Sequence, residues 1–296
     1  MKVLIVGHSG QLAAELLKAA PANIQVHALG RPELDLTQSE SISKALVKIM
    51  PSVVINASAY TAVDKAESEP EAAYAVNAEG VKALAEAVKA INARLLHVST
   101  DFVFGKRSAL TADGIAPLLP NAEVDPLGVY GASKLAGEQH IQQLLPQSSV
   151  IVRTAWVYSS TGNNFVKTML RLMADKPELG VIADQIGTPT WARGLAEWLW
   201  AAVAKKDVTG VHHWTDAGAA SWYDFAVAIQ ELALEKGILA NAIPIKAIPT
   251  ASYPTPAKRP GYSVLDKTSA EQALGLTPMH WRKQLSMMLD ELKNAG

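Results

Sequence analysis

Short runs of continuously aliphatic residues recur through the first half of the chain, and each is followed by a stretch with helical period. Val3–Val6 is closed by Gly7 and followed by Leu12, Leu16, Leu17 and Ala20 on one helix side. Val26–Leu29 comes next, then Ser39–Met50 with Ile42, Leu46 and Ile49 in phase and Pro51 at its end. Val53–Ile55, the alanine-rich Ala72–Ala90, Leu95–Val98, a helix from about Ala132 to Leu144, and Val150–Val152 continue the series. A strand wet on one face alternates apolar and polar residues, whereas one apolar throughout is covered on both faces. Repeated strand–helix units of that kind predict a parallel, doubly wound α/β sheet.

Beyond Thr154 the alternation weakens. Asn163–Met173, Trp198–Ala204 and Trp222–Glu235 read as helices, with a proline-rich stretch over Pro244–Pro260. Gly105 to Gly128 has several prolines and no period, which predicts a long loop of the kind that usually carries function. The expected division is a dinucleotide-binding domain over 1–153, with part of 187–215, and a smaller substrate lobe over 154–186 and 216–296. Charge narrows the partners. With 27 basic and 28 acidic residues the chain has no general field for nucleic acid or an anionic membrane surface. The absence of cysteine removes disulfides, thiolate nucleophiles and Cys-based metal sites. The apolar part of the N-terminus is too short for a signal peptide, and no apolar run approaches the ~18 residues of a membrane span. The expectation is a soluble, cytoplasmic protein.

Gly7-His8-Ser9-Gly10-Gln11-Leu12-Ala13 follows the first strand and opens the first helix. Gly7 suits a tight turn, and Gly10 allows close backbone approach to a pyrophosphate seated on the helix N-terminus. Such glycines also occur in ordinary βα turns, but the position directly after the first strand favours a dinucleotide site. The second strand ends in Arg31 with no acid at its tip. A carboxylate there would repel a 2′-phosphate and an arginine accepts one, so Arg31 favours NADPH, with NADH as the alternative. Asp35 and Leu36 follow within reach of the adenosine end, and Ala57–Tyr60 leaves the third strand with mostly small side chains.

Tyr130 and Lys134 stand four residues apart and share a helix face. An ammonium beside a phenol is expected to lower its pKa from about 10, which suits proton exchange with a substrate oxygen. Ser99-Thr100-Asp101 closes the fourth strand, at the sheet edge where ligands bind in open α/β folds. Thr100 can bond the same oxygen. A glycine turn, a strand-end hydroxyl and a Tyr/Lys helix in that order point to ketone or alcohol redox chemistry.

With these residues the sequence resembles the extended short-chain dehydrogenase/reductase superfamily and, within it, the dTDP-4-dehydrorhamnose reductase family. The resemblance runs through the stretches Gly7–Leu12, Asn56–Glu67, Ser99–Phe104, Tyr130–Glu138, Arg153–Tyr158, Asp184–Thr190 and Arg259-Pro260. It implies a Rossmann-type sheet with a smaller C-terminal substrate-binding lobe. It also implies hydride transfer from NADPH or NADH to C4 of dTDP-4-dehydro-β-L-rhamnose. By the same resemblance Tyr130 is the proton donor, Lys134 holds the nicotinamide ribose and tunes Tyr130, and Thr100 orients the carbonyl. Gly7, Gly10, Gln11, Leu12, Arg31, Asp35, Leu36, Ala59, Tyr60, Thr61 and Lys134 form the expected cofactor set. Thr100, Tyr130, Trp156, Asn164 and Arg259 form the expected set for the nucleotide sugar, Arg259 facing the diphosphate.

Dehydratases on the same scaffold carry a glutamate after the strand-end Thr-Asp, where this chain has Phe102, so simple ketone reduction is favoured. A related epimerase or reductase, and a non-catalytic NADP-binding regulatory subunit, stay as alternatives. Some relatives form homodimers around Mg²⁺ held by carboxylates. Glu15 matches one such position, but the next falls near Arg193, which cannot ligate a cation. No metal ligand is assigned, and a homodimer through another surface stays open.

Overall fold

The computed structural model describes residues 1–105, 110–111 and 114–295. Six parallel strands form the central sheet: β1 Lys2–Val6, β2 Gln25–Leu29, β3 Val53–Asn56, β4 Arg94–Thr100, β5 Ser149–Thr154 and β6 Gly210–His213. Their order across the sheet is 2-1-3-4-5-6, and every neighbouring pair runs parallel. The expected doubly wound α/β class is what the chain adopts.

Neighbouring residues of one strand enter different cores, which is why the strands are apolar throughout. Val3 and Ile5 pack with Ile55, Leu96 and Val152 against α1 (Gln11–Lys18) and Ala192–Ala204. Leu4 and Val6 pack on the opposite face with Val54, Leu95 and Ile151. Covering that face are α2 (Ser39–Ile49), α3 (Gly80–Ala90) and α4 (Val129–Leu144). Each fully buried aliphatic side chain in such a layer stabilises the fold by about 1.5–3 kcal/mol. A two-faced sheet is therefore held from both sides.

A separate apolar core joins Tyr158 to α5 (Phe165–Asp175), α7 (Trp222–Glu235) and α9 (Trp281–Ala295) through Met169, Phe225, Ile229, Leu285 and Met288. Between α5 and α7 lies α6 (Ala192–Ala204), and α8 is Thr268–Leu274. The proline-rich stretch contains a strand, Ile245–Ile248, which pairs in parallel with Leu179–Ile182. The expected long loop lies partly outside the described residues. Within it Leu110–Thr111 pairs antiparallel with Gly114–Ile115.

The alanine-rich segment expected as one helix over Ala72–Ala90 is interrupted. Pro70–Tyr74 is α-helical, Ala75–Glu79 is a π-turn, and α3 resumes the α-helical ladder at Gly80. A π-turn inserts a residue without breaking the axis, so apolar spacing alone does not reveal it. No helix among the described residues is long and apolar enough to cross a membrane.

Candidate active site

The strand order reverses between β1 and β3, and open α/β sheets bind ligands outside the strand ends at that point. A cleft of about 1170 Å³ lies there. That exceeds the roughly 300–1,000 Å³ of an ordinary small-molecule site and suits two sizeable ligands together. Its first wall is the turn after β1. Gly7 has φ +98°, a conformation side chains rarely adopt, and its Cβ position lies 3.3 Å from Ser58. A Cβ at Gly10 would meet no atom of the described residues within 4 Å, and Gly10 lines the cleft. Gly10 caps α1 without a side-chain hydrogen bond, leaving the first-turn N–H groups for an anion.

Gln11, Leu12, Arg31, Asp35 and Leu36 line the cleft beyond this turn, and Ala59, Tyr60 and Thr61 line it after β3. Arg31 also borders an adjoining hollow with Ser41 and Lys44. Asn77, from the π-turn, fixes the β3 segment: its Oδ1 accepts from Tyr60 N–H at 2.9 Å, and its Nδ2 donates to the Tyr60 carbonyl at 3.0 Å. The irregular turn thus aims one buried amide at a cleft-lining backbone.

Thr100, Tyr130 and Lys134 line the other part of the cleft, with Asp101 and Phe102. The Thr100 hydroxyl donates to Asp101 Oδ1 at 3.1 Å and accepts from Phe102 N–H at 3.2 Å. Phe102 packs edge-on to the Tyr130 ring, with centroids 5.5 Å apart. Glu67, in the stretch after β3, accepts from Val129 N–H at 2.8 Å and so caps the helix that presents Tyr130. A carboxylate at that end also complements the helix dipole. Farther along α4, Glu138 forms a buried ion pair with Arg153 of β5 at 2.7 Å. Two motif segments are thereby locked together.

The electrostatics of Tyr130 differ from the sequence expectation. Burial pushes its pKa up to about 12; the hydrogen bond with Thr100 opposes this and the Asp101 carboxylate adds to it. Lys134 does not depress it, because burial lowers Lys134 itself to about 8 and its Nζ is turned to the Val98 carbonyl at 2.7 Å and to His97. A phenol held protonated serves as an acid, which is the role ketone reduction needs. Burial also raises Asp101 to about 6.

Trp156 borders the cleft with φ +48° and stacks on Trp222 at a centroid distance of 3.6 Å. A Cβ at Gly187 would lie 2.7 Å from that indole, which gives the Asp184–Thr190 motif a steric meaning. Asn164 and Arg259 are not among the cleft-lining residues. Asn164 caps α5 by accepting from Lys167 N–H and donates to Gln11 Oε1 at 2.9 Å. Arg259 is held by Asp64, with its NH2 2.7 Å from Asp64 Oδ2. His97, Asn77, Glu67 and Trp222 went unassigned from sequence. Two of them left a signal: His97 is the one polar residue inside the run Leu95–Val98, and Glu67 closes the motif stretch Asn56–Glu67.

Mg²⁺ does not fit the position suggested by resemblance. Arg193 donates to Glu15 at 2.8 Å and to Glu291 at 2.5 Å, and Lys18 bonds both carboxylates as well. The oxygens a hard cation needs are already paired with fixed cations.

Residues 1–294 match the family model described as the RmlD substrate binding domain. A dTDP-4-dehydrorhamnose reductase of Aggregatibacter actinomycetemcomitans is 43% identical over 293 residues, covering 96% of this chain and 97% of the relative. A crystal structure of a dTDP-4-dehydrorhamnose reductase from Clostridium acetobutylicum is 39% identical, with a TM-score of 0.91, over 99% of this chain and all of that one. A Bacillus anthracis dTDP-4-dehydrorhamnose reductase solved in complex with NADP is 32% identical, with a TM-score of 0.90, over 98% of this chain and 99% of that one. The chain belongs to the dTDP-4-dehydrorhamnose reductase family.

Proposed function

We propose that this protein reduces the C4 ketone of dTDP-4-dehydro-β-L-rhamnose to dTDP-L-rhamnose with NADPH or NADH. The observation that carries this reading is one cleft with an uncapped, glycine-lined helix N-terminus on one wall and Thr100, Tyr130 and Lys134 on another. The chain fits a dinucleotide. Gly10 leaves space at the helix end, and the buried Ser99 and Thr154 hydroxyls of the cleft have no hydrogen-bond partner among the described residues. Gly7, Gly10, Gln11 and Leu12 would hold the pyrophosphate region. Arg31, Asp35 and Leu36 would take the adenosine end, while Ala59, Tyr60, Thr61 and Lys134 would hold the remainder. The hollow beside Arg31 and Lys44 is lined by Asp35 and Glu40 as well, so the preference for NADPH over NADH rests on Arg31 at the tip of β2.

When bound, the reduced nicotinamide supplies the hydride and its electron pair. The protein supplies the proton. Tyr130 donates its O–H proton to the C4 oxygen as negative charge develops there, and Thr100 orients that oxygen. Trp156, braced by Trp222, offers a flat apolar wall to the sugar. Asn164 lies behind Gln11 and positions it, and Arg259 is the guanidinium assigned to the diphosphate, a charge it now shares with Asp64. Residues 1–153 with part of 187–215 would form the cofactor lobe, and 154–186 with 216–296 the nucleotide-sugar lobe. A cytoplasmic location agrees with phosphorylated reactants.

The test mixes purified protein, dTDP-4-dehydrorhamnose and either cofactor. Cofactor oxidation matched by formation of dTDP-L-rhamnose is expected, faster with NADPH. No oxidation with either cofactor would refute the reading.

A further inference from the structure

Thr100 lines the cleft where the reacting oxygen is expected, yet its hydroxyl proton is already engaged. The O–H is given to Asp101 Oδ1 at 3.1 Å, and one lone pair takes the Phe102 N–H at 3.2 Å. A threonine hydroxyl has one proton and two lone pairs, so only a lone pair is left for a ligand. A ketone oxygen, and the alkoxide it becomes, can only accept. The two would meet acceptor to acceptor.

A proton on Asp101 reverses this. Asp101 opens the 3-10 turn Asp101–Val103 at the end of β4, lines the cleft and is only 2% exposed. Its Oδ2 is buried and has no hydrogen-bond partner among the described residues. A carboxylate with a bare oxygen out of water is costly, whereas the acid leaves only a neutral carbonyl unbonded. Around it, Tyr130 on α4 is a phenol, and Ser263 ahead of α8 is an uncharged hydroxyl. Lys134 is turned to His97 and Val98, and Arg153 on β5 is paired with Glu138. Burial raises Asp101 to about 6, while the Ser263 and Thr100 hydroxyls and the N–H groups of Asp101 and Phe102 oppose the rise. With its proton on Oδ1, Asp101 donates to Thr100 Oγ. That oxygen then accepts from both Asp101 and Phe102, and its own O–H is free for the substrate.

We propose that Asp101, in its protonated form, is a positioning residue that turns the Thr100 hydroxyl from acceptor to donor, so that its ionisation switches off the Thr100 bond to the C4 oxygen. The proposal rests on the reductase reading of the site. Asp101 passes its proton to no reactant, and Tyr130 remains the donor to the C4 oxygen. Cofactor and nucleotide sugar each bring a diphosphate and displace water, and both effects raise a buried carboxyl further. The loaded site therefore favours the acid form.

One donor to a developing oxyanion is worth about 10²–10³-fold in rate. With saturating NADPH, kcat/KM for the nucleotide sugar should fall about 10²-fold as pH rises through the Asp101 ionisation, at about 6 or above. It should then level off at the rate of Thr100→Val, which lacks the hydroxyl at every pH. In Asp101→Asn the amide donates to Thr100 permanently, and the fall should disappear. A fall of native depth in Asp101→Asn overturns the proposal. So does one of native depth in Thr100→Val, since Asp101 would then act by its charge and not through the hydroxyl. A readout without turnover separates the switch from the assigned reaction. The infrared spectrum of the native protein minus that of Asp101→Asn, at a pH of about 5, should contain a carboxylic-acid C=O band. A carboxylate band in its place overturns the switch, whatever the activity assay gives. If Asp101→Asn does not fold, the pH profile of Thr100→Val against that of the native enzyme decides.

Discussion

Tyr130 is the residue on which the proposed chemistry depends most directly. Its phenol is held up to about 12, so at neutral pH it is an acid with its proton in place. Replacement with Phe keeps the ring that meets Phe102 edge-on and removes only the hydroxyl. A positioned general acid contributes about 10²–10⁴-fold to rate. Tyr130→Phe should therefore lower kcat by at least about 10²-fold while cofactor affinity, measured by fluorescence titration, changes less than about threefold. Equal losses in both would give Tyr130 a binding role. Thr100, Tyr130 and Lys134 were legible in the sequence because strand-end position and helical spacing are local properties. The direction of the Tyr130 shift was not, since spacing says that a lysine is near but not where its Nζ points. Lys134 turns to His97 and Val98, and those contacts come from a strand 36 and 37 residues away.

At the scale of elements, helix α4 brings the site together by close approach. Gly137 lies against the π-turn, where a Cβ would stand 2.2 Å from the Asn77 carbonyl oxygen. That contact is with backbone, so the turn or the helix must move. Overpacking of this kind costs about 1–3 kcal/mol. Gly137→Ala should lower the unfolding free energy, measured by urea titration, by that much. It should also weaken cofactor binding, because the displaced turn carries Asn77 and with it the Tyr60 backbone. A variant with native stability and a native cofactor Kd would show that the two helices slide apart without cost. Helices α1 to α7 and the first five strands could be read from period and apolar runs, whereas α8 and α9, after the proline-rich stretch, were not. The π-turn could not, since alanines on all sides leave little phase to shift, and β6 was missed because Gly210–His213 offers only one aliphatic residue. Its place at the sheet edge is set by pairing with β5, a long-range contact.

For the molecule as a whole, Asp216 links elements far apart in the chain. It follows β6, accepts the Trp191 N–H ahead of α6 at 3.0 Å, and borders a hollow with Glu197 of α6 and Gln284 of α9. Burial raises its pKa to about 8; the bonds from Trp191 and Gln284 and the charge of Lys267 oppose the rise, and Glu197 adds to it. The folded chain therefore keeps a proton there that the unfolded chain releases above about 3.9. Stability from this group is fully present below the unfolded value and is lost as pH rises towards about 8, above which both states are ionised and the loss is complete. His213 works in the opposite sense: burial lowers it to about 3, helped by Arg153, so the unfolded chain gains a proton below about 6.5 and stability falls with falling pH. The two slopes oppose each other across the acid range, and only Asp216 acts between about 6.5 and 8. Asp216→Asn keeps an acceptor for Trp191 and cannot ionise. The Tm of the variant minus that of the native protein should rise steadily from pH 5 to 8 and level off above. Thermal melts across that range decide it, and a difference that does not vary with pH would mean that Asp216 is ionised in the folded protein throughout.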